Sequence, residues 1–227
     1  MAGLALCAAA VVSADEYRQF PGAPTDSQTL RTKEKVEEIY SSGNYERAML
    51  IYEKELAPQG DKYAQYMVGY MHLAGRGVEK DPAEALAWYR LAAERGEPKF
   101  IQARDALYES LDADALAESE ARFADLWQHY GDRKLILDLI RADLQILHQA
   151  SDTDFAGGTS HTGIVSGYSG SQSGDPYLRR VRAQLTERLQ YLNSIVEDKS
   201  TAMVAETSGI DAMEAKIRQD LKGLDRP

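Results

Sequence analysis

The residues able to do chemistry are few and scattered. Four histidines are present: His72, His129, His148 and His161. The first three lie in stretches of helical pattern, with no second histidine or cysteine three or four positions away. Zinc sites need clustered imidazole or thiolate ligands, so none is expected. Ser160, His161 and Asp154 are the residue types of a hydrolytic triad. They fall in a glycine- and serine-rich run, and a triad works only when its geometry is held in advance. Asp112, Asp114, Glu118, Glu120 and Asp125 form an acidic cluster. A calcium loop would need a glycine turn and alternating oxygen ligands, whereas this spacing suits the first turns of a helix, where carboxylates favour the dipole. Gly75-Arg76-Gly77 lacks the lysine and preceding strand of a phosphate-binding loop. No catalytic residue, metal ligand or cofactor is expected.

Aromatic side chains are the better signal. The chain has 13 tyrosines, and Tyr63, Tyr66 and Tyr70 fall at i, i+3 and i+7 on one helical face. Such a ridge is either partner-binding hardware or packing between helices. Of the net charge of −10, eight units lie in residues 1–150. A surface this acidic repels phosphate backbones and anionic lipid heads, which argues against nucleic acid as a partner. No stretch approaches the ~20 apolar residues of a membrane span.

The elements that position these residues read as helices throughout, and sustained strand-like alternation is absent before residue 150. A first helix covers 32–41. A second starts at Asn44, carries Ala48, Ile51, Tyr52 and Leu56 on one stripe, and stops at Pro58-Gln59-Gly60. A third, 62–74, aligns Ala64, Met67, Val68 and Met71. Gly75 and Gly77 then bracket a tight turn. Asp81 is placed to cap the next helix, with Pro82 at its first position and Glu84 completing a capping box. Ala85, Trp88, Tyr89, Ala92 and Ala93 form a single apolar stripe, and Gly96 ends the helix. A shift of 37 residues aligns Asn44 with Asp81, Ala48 with Ala85, Ile51 with Trp88, Tyr52 with Tyr89 and Leu56 with Ala93. A two-helix period of that size marks an α-solenoid. Further helices are expected at 98–110, 113–130 and 133–149. The last has Leu135, Ile136, Leu139, Ile140, Leu144, Ile146 and Leu147 around much of its circumference. It is either sandwiched in a helical cap or keeps one side for binding.

Residues 64–96, AQYMVGYMHLAGRGVEKDPAEALAWYRLAAERG, resemble the Sel1-like repeat, a relative of the tetratricopeptide repeat. The resemblance rests on Ala64, Gly69, Met71, Gly75, Gly77, Val78, Asp81, Ala85, Trp88, Tyr89, Ala92, Ala93 and Gly96. His72 departs from the aromatic residue usual there, and the unit 37 residues earlier lacks the tryptophan and glycine-flanked turn. What the resemblance implies is an all-α fold, a short solenoid of helical hairpins used as a scaffold in protein–protein contacts. It also implies export, common among bacterial members.

The flanks set the remaining expectations. Residues 1–14 are apolar and small and end in Val12-Ser13-Ala14, a pattern of signal-peptide cleavage, although no basic residue precedes the apolar run. Cys7, the single cysteine, follows Leu6 rather than a small residue, which disfavours a lipid anchor. A periplasmic or secreted location is expected. Residues 15–31, with two prolines, read as an extended lead-in. The body is 32–150. Residues 151–175 read as a Gly/Ser-rich linker, whose uncharged run 156–174 spans about 25 Å. The tail, 176–222, starts with Asp175 and Pro176 as cap and first position. It carries a heptad seam of Leu178, Val181, Leu185, Leu192 and Ile195, interrupted by Arg188. A second stripe at Ile210, Met213, Ile217 and Leu221 folds back as a hairpin, or the tail tethers a partner helix or another copy of the chain. On this reading a fragment near 32–150 folds without the tail. The expected function is an exported scaffold or adaptor with a protein partner. A cell-wall-glycan or small-ligand binder, or an enzyme using the solenoid groove, is the alternative.

Overall fold

A computed structural model of the chain describes residues 20–22, 27–155, 176–197 and 208–224. Every regular element among them is helical. In order they are α1 (Ser27–Ser41), α2 (Tyr45–Ile51), α3 (Lys62–Ala74), α4 (Pro82–Ala92), α5 (Pro98–Ser110), α6 (Ala113–Tyr130), α7 (Asp132–Phe155), α8 (Pro176–Glu197) and α9 (Ser208–Leu224). α2 runs on through a π-helical turn at Tyr52–Leu56 and a 3-10 turn at Ala57–Gln59.

The first four helices make two hairpins, and α4 is the central element, packed against α3, α5 and α6. The paired positions of the 37-residue shift occupy equivalent places. Asn44 and Asp81 both cap helices, their side chains accepting from the N–H groups of Arg47 and Glu84. Ala48, Tyr52, Ala85, Trp88 and Tyr89 are all buried. The capping box expected at Asp81 is only half built. The Asp81 N–H donates to the His72 carbonyl at 2.9 Å, so it has no need of Glu84. The Glu84 carboxylate instead accepts from the Trp88 indole at 2.9 Å and pairs with Arg122.

Two boundaries differ from the sequence reading. α1 begins at Ser27 rather than Thr32, because both prolines of the lead-in precede it and Ser27–Arg31 holds no helix breaker. α7 continues to Phe155, five residues into the stretch read as linker.

The larger difference is the tail. α8 and α9 both pack on α7, which covers much of the circumference that the sequence left ambiguous, with Leu135, Leu139 and Ile146 half-buried. Ile136, Leu137, Ile140, Leu144 and Leu147 are buried there, opposite Val181, Leu185, Leu192 and Ile217. The seam of α8 is thus turned onto the body rather than toward a partner helix. A fragment ending near residue 150 would strip these side chains bare, at roughly 1.5–3 kcal/mol for each large one. Arg188, the break in the heptad pattern, is the reason the register is fixed. It is 4% exposed and donates to Asp143 Oδ2 at 2.6 Å, and also to the carbonyls of Pro21 and Gly22. Cys7, Ser160 and His161 lie outside the described residues.

Candidate protein-binding face

α3 supplies the tyrosine row. Its cap is Asp61, whose carboxylate accepts from the Ala64 N–H at 2.9 Å. The three tyrosines then meet different fates. Tyr66 stacks on Tyr89 at 5.1 Å and 12° and lies 5.3 Å from Phe100. Tyr70 is half-buried against both α-hairpin cores. Tyr63 is 43% exposed, its ring 6.5 Å from those of Tyr52 and Tyr66, with the Lys99 ammonium 6.0 Å away. Packing therefore accounts for Tyr66 and Tyr70, while Tyr63 presents a ring to solvent from a rigid backing. Burial, and behind it the Glu37 carboxylate, push the Tyr63 hydroxyl up to about 12, so it stays a neutral donor at physiological pH. Glu37 is itself held by the Tyr52 hydroxyl at 2.8 Å.

Beyond Tyr70 the Gly75-Arg76-Gly77 turn acquires its meaning. Gly77 has φ of +74°, and a Cβ there would sit 2.5–2.6 Å from the Tyr45–Glu46 backbone. Only glycine lets the turn press against the start of α2 in this way. Arg76 is thereby set among three rings, its guanidinium carbon 5.7, 5.1 and 5.4 Å from Tyr40, Tyr45 and Tyr70. It donates to the Tyr40 hydroxyl. Sequence reasoning recognised the glycines and passed over Arg76, Tyr40 and Tyr45. No local pattern marks them, since Tyr40 and Arg76 are 36 positions apart.

A second cluster gathers charged groups at close range. At the junction of α3, α4, α7 and α8, Lys62 Nζ lies 2.8 Å from Glu94 Oε2 and 3.1 Å from Asp132 Oδ1. Arg95 makes two bonds of 2.8 Å to Asp132, and the Tyr191 hydroxyl donates to Asp132 Oδ2 at 2.7 Å. Glu94 also accepts from the Trp127 indole at 3.0 Å. Burial pushes the Glu94 carboxyl above its ordinary range, against the pull of Lys62. Burial acts the same way on Asp132, but Lys62, Arg95 and Tyr191 outweigh it and hold that carboxyl well below its range. Two carboxylates pushed apart can signal acid–base chemistry. Here every carboxylate oxygen is taken by a protein donor, and the arrangement is a lock between repeat and tail. Beside it lies a cavity of about 890 Å³, lined by Phe20, Lys33, Asp61, Lys62, Arg95 and Asp138 among others. Phe20 meets Tyr191 edge-on at 5.3 Å and carries the Arg95 guanidinium 4.1 Å above its ring.

The remaining candidates are dispersed. His72 is half-buried, its Nδ1 without a hydrogen-bond partner among the described residues, and burial lowers its pKa. His129 and His148 are exposed. The acidic cluster is spread along α6, where Asp112 caps the helix and Glu118 and Glu120 pair with Arg122 and Arg90.

What decides the family is the α3–α4 seam. A Cβ on Gly69 would lie 2.6 Å from the Tyr89 ring and 3.0 Å from the Ala85 carbonyl, so the two helices touch at glycine, alanine and tyrosine. Trp88 is 2% exposed, Val78 packs partly buried on the main core, Ala92 and Ala93 are buried with Phe100, and Gly96 closes the helix left-handed. The same stretch, residues 62–97, matches the Sel1 repeat family. This hairpin is a Sel1 repeat. Sel1 repeats are commonly protein–protein interaction modules and generally non-enzymatic. No solved structure matches the chain. Among the described residues no helix is long and apolar enough to cross a membrane.

Proposed function

We propose that the chain is an exported scaffold that holds a protein segment on the α3 face of its Sel1 repeat. The observation that carries this is Tyr63. It is a large exposed ring fixed in place by Tyr52, Tyr66 and a neighbouring lysine, on a module family that commonly binds proteins. Aromatic side chains of this kind anchor interfaces because they bury much area at little entropic cost. The Val12-Ser13-Ala14 pattern supports export, with the mature chain starting at Asp15.

The test is a photo-cross-linking residue placed at Tyr63 in cells. A specific cross-linked protein, lost when the probe is moved to exposed Tyr108 on α5, supports the reading. Recovery of glycan or small molecule alone sinks it in favour of a ligand-binding groove. Mass spectrometry of the mature N-terminus checks export separately.

A further inference from the structure

Among the described residues, four cations lie over aromatic rings: Arg76, Arg90, Arg95 and Lys99. Three of them have a carboxylate counter-ion. Arg90 is paired with Glu120 at 2.5 Å, Arg95 with Asp132 at 2.8 Å and Lys99 with Glu97 at 2.8 Å. Arg76 has none among the described residues, although the chain carries 36 acidic residues. Among the described residues its one side-chain hydrogen bond is to a neutral hydroxyl, that of Tyr40. Two glycines with positive φ hold it there, one of them wedged against the backbone of α2. A guanidinium that merely decorated a surface would need neither the wedge nor three rings.

Building on the protein-binding reading above, we propose that Arg76 is a receptor for an aspartate or glutamate side chain of an extended partner segment. Its planar fork matches a carboxylate in two-point geometry. The Tyr40 contact occupies Nη1 and leaves Nη2 and Nε to receive the ligand. The rings of Tyr40, Tyr45 and Tyr70 restrict the arginine's rotamers before binding, which lowers the ordering cost of the contact. From Tyr70 the face continues along α3 to Tyr63, seven residues or about 10 Å away at 1.5 Å per residue. Arg76 lies a further 5.4 Å from the Tyr70 ring, so about five residues of extended peptide cover the distance from Arg76 to Tyr63. The recognised segment thus pairs one acidic side chain at Arg76 with an apolar or aromatic side chain at Tyr63. Charge complementarity selects this occupant. A basic segment would meet Arg76 directly, and a neutral one would leave the cation no better paired than it is.

The probe is a display library of linear peptides selected on the full chain. Selected peptides should share an acidic residue, and changing it to the amide should weaken binding at least about tenfold, as for loss of a charge-assisted bond. R76Q should cost the same factor, and the two changes together no more than either alone. R76K should recover only part, since it keeps charge without the fork. The neutralised peptides are measured on the unaltered protein, so the test survives any effect of R76Q on folding. Selected peptides without an acidic requirement, or indifferent to R76Q, overturn the proposal. If those peptides still lose affinity with Tyr63→Ala, the protein-binding face stands and only the Arg76 assignment falls. Loss of binding on C-terminal amidation, with internal acids irrelevant, also overturns it, as does a selection that yields no binder.

Discussion

The α3–α4 seam and the α7–α8 seam solve the same problem with opposite chemistry. Along its middle the first brings helices together through glycine, alanine and stacked rings, with buried charge only at its end, where Lys62 meets Glu94. The second buries charge: Arg188 on Asp143, and Tyr191 on an Asp132 already shared by Lys62 and Arg95. Small-and-aromatic packing tolerates local rearrangement and repeats along a solenoid. Buried ion pairs contribute little net stability but penalise every wrong register heavily. The repeat supplies cohesion, and the junction specifies which face of α7 the tail covers.

The largest expected effect breaks the junction. Asp132→Ala strips Arg95 and the Tyr191 hydroxyl of their carboxylate and leaves Lys62 with Glu94 alone, and should lower unfolding free energy by about 3–5 kcal/mol in a urea titration. Arg188→Met alone should cost a comparable amount by stranding Asp143. Combined with Asp143→Leu it should return to within about 1 kcal/mol of the parent, since an apolar pair of similar volume replaces a buried ion pair at little cost. A double variant as unstable as the single would mean the pair is a net source of stability, and the contrast drawn here fails.

Gly69→Ala probes the other seam. Its methyl meets the Tyr89 ring and the Ala85 carbonyl, and overpacking of this kind costs about 1–3 kcal/mol. It should leave the α7–α8 contact untouched, so a fluorescence probe on Tyr191 would not move at temperatures where the fold persists.

Acidity tests the charged junction by itself. Asp132 ionises in the folded chain well below its unfolded value of about 3.9, so in the window below about pH 4 the unfolded state binds more protons. Its contribution is complete above that window and is lost as pH falls through it. Glu94 has the opposite sign, its carboxyl raised by burial. The folded state binds the extra proton just above about pH 4.3, and mild acidification from neutrality relieves a cost. Stability should hold or rise slightly from pH 7 toward 5 and then fall steeply below 4. Asp132→Asn should flatten the steep arm in a pH series of denaturation curves. The smallest change is Tyr63→Ala, expected to shift stability by no more than about 0.5 kcal/mol while weakening partner capture.

The two seams also differ in how far a reader of the sequence could see them. Gly69, Asp81, Trp88 and Tyr89 lie within one short window and carry helical spacing, caps and turn residues that act locally. The partners of the junction are remote: Arg188 and Asp143 are 45 positions apart, Tyr191 and Asp132 are 59. Arg188 was visible as a flaw in a heptad seam, but nothing near it named Asp143. Local pattern alone therefore leaves the tail detached from the body. The tyrosine row was legible as a row. Its division into packed Tyr66 and Tyr70 and exposed Tyr63 depended on where α4 and α5 lay. Arg76 escaped because its cage comes from three helices.

Arg188 grips the carbonyls of Pro21 and Gly22 as well as Asp143, and Phe20 is seated on Tyr191. The front of the described chain is thus moored both to α8 and, through Phe20 under Arg95, to the end of the Sel1 repeat. A pull on that front end would be shared at once by α8, by α7 and by the turn that ends α4, so three sequence-distant elements yield together or not at all.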